Sequence, residues 1–310
     1  MGERTVFRRA VKLMGNRFEI SAVASDEAWA MVRIDAAVAE IQRIERLLTT
    51  YDESSETNLI NRNAGIVPVA VSGETFGLIE RSIRISEVTQ GAFDITYGSV
   101  DKRLWNFDQQ MRQLPDRRLA RKMVRLINYR NILLDKARSM VFLMEKGMRI
   151  GFGGIGKGYA AERAKWVMQG MGVDSGVVNA SGDLTAWGYQ PDGKAWTIGI
   201  VRPDIKGEIF SYLSITNMSL ATSGNYEKFI VIDGKRYSHT INPRTGLPVT
   251  GIKSVTIITP NAEIADAMAT PVMIMGIGPG LYMINQMKDI EAVIIDDDDN
   301  IYTSDHIHFS

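Results

Sequence analysis

Cysteine is absent from the 310 residues, and histidine occurs only three times. Without cysteine, disulfides, thiolate metal sites and cysteine nucleophiles are all excluded. Two of the histidines, His306 and His308, sit near the C-terminus, so His239 is the only imidazole in the body of the chain. Net charge is missing too, because 36 Lys and Arg balance 36 Asp and Glu. Binding nucleic acid needs a basic excess or a strongly basic face, so nucleic acid is not an expected partner. The one basic cluster, Arg112 to Arg125, encloses Asp116 and reads as a solvated helix face. No uninterrupted apolar run is long enough to span a bilayer. The first residues, Met1 to Arg9, have no apolar core and are not a secretory signal as they stand.

What is present suffices for a large core: 45% hydrophobic residues, five Trp and an ordinary 23% of charged residues. A strand is expected over residues 17–24. Ser25 is a candidate N-cap for a long amphipathic helix carrying Trp29, Val32, Ala36, Ile41, Ile44 and Leu48. Ser54 to Asn58 reads as a loop or second N-cap. Ser72 opens another helix, with Phe76, Ile79 and Ile83, which Gly91 stops. Strands are expected at Ile132–Leu134, Met140–Met144, Met148–Ile150, Val177–Val178, Trp196–Val201, Tyr212–Ile215, Phe229–Ile232 and Ser254–Ile258. A helix is expected over Tyr159–Met171 and another over Glu263–Met275. Ala292–Ile295 pairs with Ile301–Thr303 around a solvated acidic tip, because neighbouring strand residues point to opposite faces. Early helices, later strands and no regular βαβ alternation indicate an α+β fold. At this length the chain could hold two average domains, and it reads as one domain over 1–310 or as two interleaved α+β halves with the site between them.

Three stretches carry chemistry. The first, Gly151 to Gly158, has five glycines in eight residues and runs into a helix. Gly151, Gly153 and Gly156 spell a dinucleotide-binding pattern, but the neighbouring strands are too close for βαβ units. Gly156-Lys157 mimics a P-loop, but Gly158 stands where Ser or Thr would hold magnesium. Both motifs are decoys. Their shared physics survives: close backbone approach, a helix N-terminus and the Lys157 charge suit an anionic ligand such as phosphate. The competing reading is a tight strand-to-helix turn.

The second is Asp266 with Thr270, four apart on one helical face and surrounded by small or apolar neighbours. A buried carboxylate needs a partner, and a carboxylate with a hydroxyl makes a hard-oxygen set suited to Mg²⁺. The third is Tyr237 to Gly246. His239 leaves a strand-like hairpin (Phe229–Ile232, turn at Asp233-Gly234, Lys235–His239) just before the turn residues Asn242-Pro243-Arg-Thr-Gly246. An imidazole there suits proton transfer near neutral pH; alone, it reads more simply as a structural histidine beside a turn.

Nine segments, in order, resemble the ApbE family of flavin transferases. They are Met14-Gly15; Ser55-Glu56 with Leu59 to Asn61; Gly91-Ala-Phe-Asp94 with Thr96; Leu104-Trp105; and Ile155 to Ala160. Then come Asn179 with Gly182-Asp183, Thr222-Ser-Gly224 with Tyr226, His239 with Pro243 and Thr245-Gly246, and Asp266 with Thr270. The resemblance runs from about Met14 to the C-terminal strands. It implies an α+β fold related to the T-fold, FAD as substrate and Mg²⁺ as cofactor. It implies transfer of FMN from FAD to a Thr or Ser of an acceptor flavoprotein, of the membrane redox-complex subunit type, with release of AMP. By matching positions, Met14, Tyr51, Ala92, Phe93, Asp94, Gly151, Lys157 and Ile241 would contact FAD. Asp266, Thr270 and the carbonyl near Gly154 would hold magnesium, and His239 would be the base. It also implies a periplasmic or membrane-anchored lipoprotein where a leader precedes these residues, and a cytoplasmic protein otherwise.

Three positions depart from the family pattern. Gly151 replaces an Asp expected near the adenosine, and that glycine can take a positive φ. Asn16 replaces a Thr, and Pro271 replaces an Ala and removes a helix bond to the Ala267 carbonyl. They bear on FAD affinity and turnover, and leave FAD hydrolysis or non-catalytic flavin binding as alternative functions.

Overall fold

The computed structural model describes residues 3–100, 113–201, 209–224 and 229–307 of the chain. Leu104-Trp105, Arg112 and Tyr226, named above, lie outside those residues. In chain order the elements begin with β1 (Thr5–Leu13), β2 (Asn16–Ala24), α1 (Glu27–Leu48), α2 (Glu56–Arg62), β3 (Val69–Ala70) and α3 (Gly73–Val88). Next are α4 (Arg117–Met123), β4 (Ile132–Asp135), β5 (Met140–Leu143), α5 (Gly156–Gly170), β6 (Gly176–Ala180) and β7 (Asp183–Trp187). Then follow β8 (Trp196–Val201), β9 (Ile209–Ile215), β10 (Met218–Gly224), β11 (Phe229–Ile232), β12 (Lys235–Ser238) and β13 (Ile252–Thr259). Last come α6 (Ala262–Met275), α7 (Ile277–Asn285), β14 (Glu291–Asp296) and β15 (Ile301–Thr303).

The main sheet has eight strands in the order β1-β2-β6-β7-β10-β13-β14-β15. Every pairing in it is antiparallel. Strand alternation gives it two apolar faces. Ala22, Ala221, Ile257 and Ile294 join the large core under the helices. Their neighbours Val23, Leu220, Ile258 and Val293 join a second core, capped by Trp196 and Ile215 of the β8–β9 ribbon. Helices α1, α5 and α6 cover the first face, α5 against β6 and β7, α6 against β10 and β13. Antiparallel sheet and helices together are the expected α+β class.

Local chemistry explains the helix ends. Asp26, not Ser25, caps α1: its carboxylate takes the Trp29 N–H. Ser55 caps α2 and Ser72 caps α3 in the same way. Of the apolar residues expected to face the core from α1, Ile41, Ile44 and Leu48 are buried, whereas Val32 is exposed. Met148–Ile150 is not a strand. Its backbone is held by side chains instead: Asn61 accepts the Ile150 N–H at 2.7 Å and donates to its carbonyl at 3.0 Å. The α5 helix begins at Gly156, not at Tyr159, so Lys157 and Gly158 lie in its first turn. On either side of α5, β5 belongs to a three-stranded sheet with β3 and β4, and β6 to the main sheet. No parallel βαβ unit surrounds the glycines, so the dinucleotide reading fails on topology. The acidic tip is a hairpin turn, with Asp296 accepting N–H bonds from Asp298 and Asn300.

Candidate active site

One wall of the site grows from the first hairpin. Met14 and Gly15 join β1 to β2 with φ of 50° and 74°. A two-residue hairpin of this kind needs positive φ at both positions, which glycine tolerates and methionine resists. Asn16 donates to the Met14 carbonyl at 2.9 Å and so helps to hold the turn. The Met14 side chain reaches the glycine loop, where its Cε lies 3.6 Å from a Cβ built on Gly156. Phe93 continues the wall, with its ring edge 3.6 Å from a Cβ built on Gly154. Thr89 Oγ1 fixes this segment by accepting the Phe93 N–H at 3.0 Å. Beside Gly151 stands Thr50, followed by Tyr51, which is 98% exposed. A fully exposed aromatic ring there has a free face for a flat ligand.

The glycine loop owes little to unusual backbone angles. None of Gly151, Gly153, Gly154, Gly156 and Gly158 has positive φ, so the expectation for Gly151 does not hold. A Cβ on Gly153 would meet nothing within 4 Å, and one on Gly151 only Thr50 Cγ2 at 3.9 Å. Gly158 is different. A Cβ there would stand 2.1 Å from the Ala262 carbonyl oxygen and 2.7 Å from Asp266 Cβ. It is the glycine that lets α5 touch α6.

That contact builds the charged half of the site. The Gly158 N–H donates to Asp266 Oδ2 at 2.9 Å. The anion at the N-terminus of α5 is thus the protein's own carboxylate, where the helix dipole favours it. Lys157 pairs with Asp183 Oδ2, and its ammonium lies 3.9 Å from Asp266 Oδ1. Asp183 Oδ1 takes the Thr222 N–H at 3.2 Å. Next to Thr222, the Ser223 hydroxyl bonds the Thr270 hydroxyl at 2.8 Å. Burial pushes the Asp266 carboxyl above its ordinary range, against the pull of the Lys157 ammonium and the N–H donors of Gly158 and Lys157. The helix continues past Pro271 to Met275, so Asp266 and Thr270 share one helical segment.

Asp94 plays a different part from its neighbours Ala92 and Phe93. Its Oδ1 accepts from the Thr96 N–H and hydroxyl at 2.8 and 2.6 Å, and its Oδ2 from the Tyr129 N–H at 2.8 Å. Burial raises its pKa, and those donors hold it back. The carboxylate ties the 92–96 segment to residue 129.

His239 is exposed, one residue beyond β12. Its loop is fixed to the same wall. The buried Ile241 donates its N–H to Tyr97 Oη at 3.1 Å, and Arg244 reaches the Gln90 carbonyl. Gly246, at φ 71°, packs on the Ala120 carbonyl of α4, where a Cβ would come within 2.1 Å.

The structure places Met14, Thr50 and Phe93 beside the glycine loop, and Lys157, Asp266 and Thr270 at its helix end. His239 and Ile241 stand in the loop after β12, where Tyr97 holds the Ile241 N–H. Asp183 and Ser223 had been visible only as parts of short segments; nothing in their spacing announced that they meet Lys157 and Thr270.

The profile of the ApbE family matches residues 14–294. An FAD:protein FMN transferase of Klebsiella pneumoniae is 31% identical over 297 residues, covering 95% of this chain and 90% of the relative. One of Treponema pallidum is 29% identical over 290 residues, covering 87% and 80%. Among solved structures, the ApbE protein of Thermotoga maritima superposes with a TM-score of 0.85 at 29% identity, covering 97% of both chains. The apo flavinyl transferase ApbE of Pseudomonas stutzeri gives 0.82 at 25% identity, covering 97% and 94%. On sequence and on fold alike, the chain belongs to the ApbE family.

Proposed function

We propose that this chain is an FAD:protein FMN transferase, moving FMN from FAD to a Thr or Ser hydroxyl of an acceptor protein. The observation that carries the reading is the meeting of an open glycine loop with the buried Asp266 and the half-buried Thr270 and Lys157 at the N-terminus of α5. FAD brings a flat ring system and a pyrophosphate, and the two halves of the site suit those two parts.

A divalent cation fits the donor set. Among the described residues no three His, Cys, Asp or Glu side chains cluster as a metal centre. A cation here would rely on the Asp266 carboxylate, the Thr270 hydroxyl, the carbonyl near Gly154 and ligand oxygens. Such sparse oxygen coordination suits Mg²⁺, which keeps waters and borrows phosphate oxygens. When bound, it supplies charge neutralisation at the pyrophosphate. Asp266 is buried with its charge only partly balanced, as a cation ligand requires.

The protein's own groups do the rest. Met14, Tyr51, Ala92, Phe93 and Ile241 hold and orient the flavin half, and Lys157 faces the phosphates with its charge. His239 takes the proton from the acceptor hydroxyl as its oxygen attacks the FMN-side phosphorus. One phosphoester bond forms, the pyrophosphate bond breaks, and AMP leaves with the bridging oxygen. The acceptor, of the membrane redox-complex subunit type, supplies the hydroxyl.

Incubation with FAD, Mg²⁺ and a candidate acceptor tests this reading. The expected products are AMP and protein-bound FMN, both lost in excess chelator. AMP with free FMN would make the protein a pyrophosphatase, and no AMP would leave it a flavin-binding protein. AMP release unchanged by chelator would remove the metal from Asp266 and Thr270.

Gly151 offers a second test. With φ outside the left-handed region and only Thr50 nearby, Gly151→Asp should fold normally. A hydrogen bond from the ligand to a charged carboxylate is worth about 1.5–3 kcal/mol, so FAD should bind roughly tenfold or more tightly. FMN, lacking the adenosine, should bind as before. Equal changes for the two flavins in calorimetry would refute the adenosine contact.

A further inference from the structure

Lys157, Asp183 and Asp266 place one positive and two negative charges in one buried space. Asp183 and Asp266 are 4% and 7% exposed, while Lys157 keeps some contact with solvent. The ammonium is not shared evenly. It makes direct contact with Asp183 and stays 3.9 Å from Asp266. Asp183 is itself held firmly: it opens β7 after the Ser181-Gly182 turn, whose φ values are 59° and 102°. Asn179 Oδ1 takes the Gly182 N–H at 2.9 Å, and the Thr222 N–H fixes the other carboxylate oxygen.

We infer that Asp183 is a positioning residue that holds the Lys157 ammonium off Asp266, keeping Asp266 Oδ1 open to a divalent cation. The inference rests on the reading of Asp266 as a cation ligand. Two carboxylates and one ammonium leave a surplus of one negative charge, and that surplus attracts the cation. Without the Asp183 charge the surplus vanishes, and Lys157 is free to close on Asp266 as an internal counter-ion. Lys157 and the cation then compete for one carboxylate. With Asp183 in place, Lys157 also keeps its charge turned to the anionic ligand. Charges about 4 Å apart in a partly buried site interact strongly enough to move affinities by roughly tenfold or more.

The test is cation binding, read without turnover. Mn²⁺ is titrated into the FAD-free chain and free Mn²⁺ is counted by electron paramagnetic resonance. Asp183→Asn keeps an acceptor for Thr222 and should weaken Mn²⁺ by about tenfold. Lys157→Met should tighten it by a similar factor, and the double variant, with the surplus restored, should return near wild type. If Asp183 were a ligand itself, the double variant would stay weak, and the inference would fall. It would fall equally if Asp183→Asn lowered the melting temperature and left Mn²⁺ affinity unchanged. Asp266→Asn separates the two claims: loss of Mn²⁺ there with no effect of Asp183→Asn overturns this inference alone. Equal binding by Asp266→Asn and wild type overturns the ligand assignment and the inference with it.

Discussion

Gly158→Ala should lower the melting temperature by roughly 5 °C or more and strip the site of cation-dependent AMP release. The added Cβ would lie 2.1 Å from the Ala262 carbonyl oxygen and 2.7 Å from Asp266 Cβ. Both belong to α6, whose backbone is locked by its own hydrogen bonds, so neither neighbour can rotate away. Overpacking costs about 1–3 kcal/mol where side chains can adjust, and a backbone clash belongs at or above the top of that range. To relieve it, α5 and α6 must part. That separation breaks the 2.9 Å bond from the Gly158 N–H to Asp266 and draws Lys157 away from the carboxylates. Gly153→Ala is the control, because nothing lies within 4 Å of its Cβ and stability should change by less than about 0.5 kcal/mol. Calorimetric melting of both variants decides the matter, and equal melting temperatures would refute the close-approach account.

The contrast between these two glycines marks how far the sequence could be read. Five glycines before a helix signal open backbone, but do not say which one is there for packing. That depends on α6, more than a hundred residues further along the chain. Helices with local signals were legible: Ser72 caps α3, and the apolar spacing of Ile41, Ile44 and Leu48 buries α1. The His239 hairpin was legible as well, since Asp233-Gly234 takes the two positive φ values such a turn needs. Other elements gave no local signal. β1 carries Arg8, Arg9 and Lys12 at the sheet edge and shows little apolar alternation. β7 and β10 are short runs in which Thr185 and Ser219 are buried among apolar residues, so polarity does not alternate with exposure. α7 hides behind Gly278, Pro279 and Gly280, which read as turn residues, although proline is tolerated in a first helical turn.

The same division runs through the site. Asp266 and Thr270 are one helical turn apart, so their common face follows from periodicity. Lys157, Asp183 and Ser223 converge only because β7 and β10 are neighbours in the main sheet beneath α5 and α6. That convergence is a property of topology. Asp94 shows the reverse case, where a residue of a short segment spends its carboxylate on Thr96 and Tyr129 and so fixes the local backbone.

His239→Asn should leave FAD affinity and melting temperature close to wild type while lowering AMP release by about 10²–10⁴-fold, the usual contribution of a positioned base. The acceptor hydroxyl is a weak nucleophile at neutral pH, and nothing in the Lys157, Asp183 and Asp266 group is suited to take its proton. Lys157 is engaged by Asp183, and Asp266 accepts the Gly158 N–H. His239 is exposed at the end of β12, where a hydroxyl from another protein can reach it. Its loop has supports other than the imidazole. The Ile241 N–H is held by Tyr97, Asn242 Oδ1 takes the Arg244 and Thr245 N–H groups, and Gly246 sits against α4. Asparagine keeps a polar side chain of similar reach, so those supports should survive the substitution. Melting curves, FAD titrations and AMP release on one preparation distinguish the roles. A lower melting temperature with full turnover per folded molecule would make His239 a turn residue and leave charge neutralisation at Asp266 as the main source of rate.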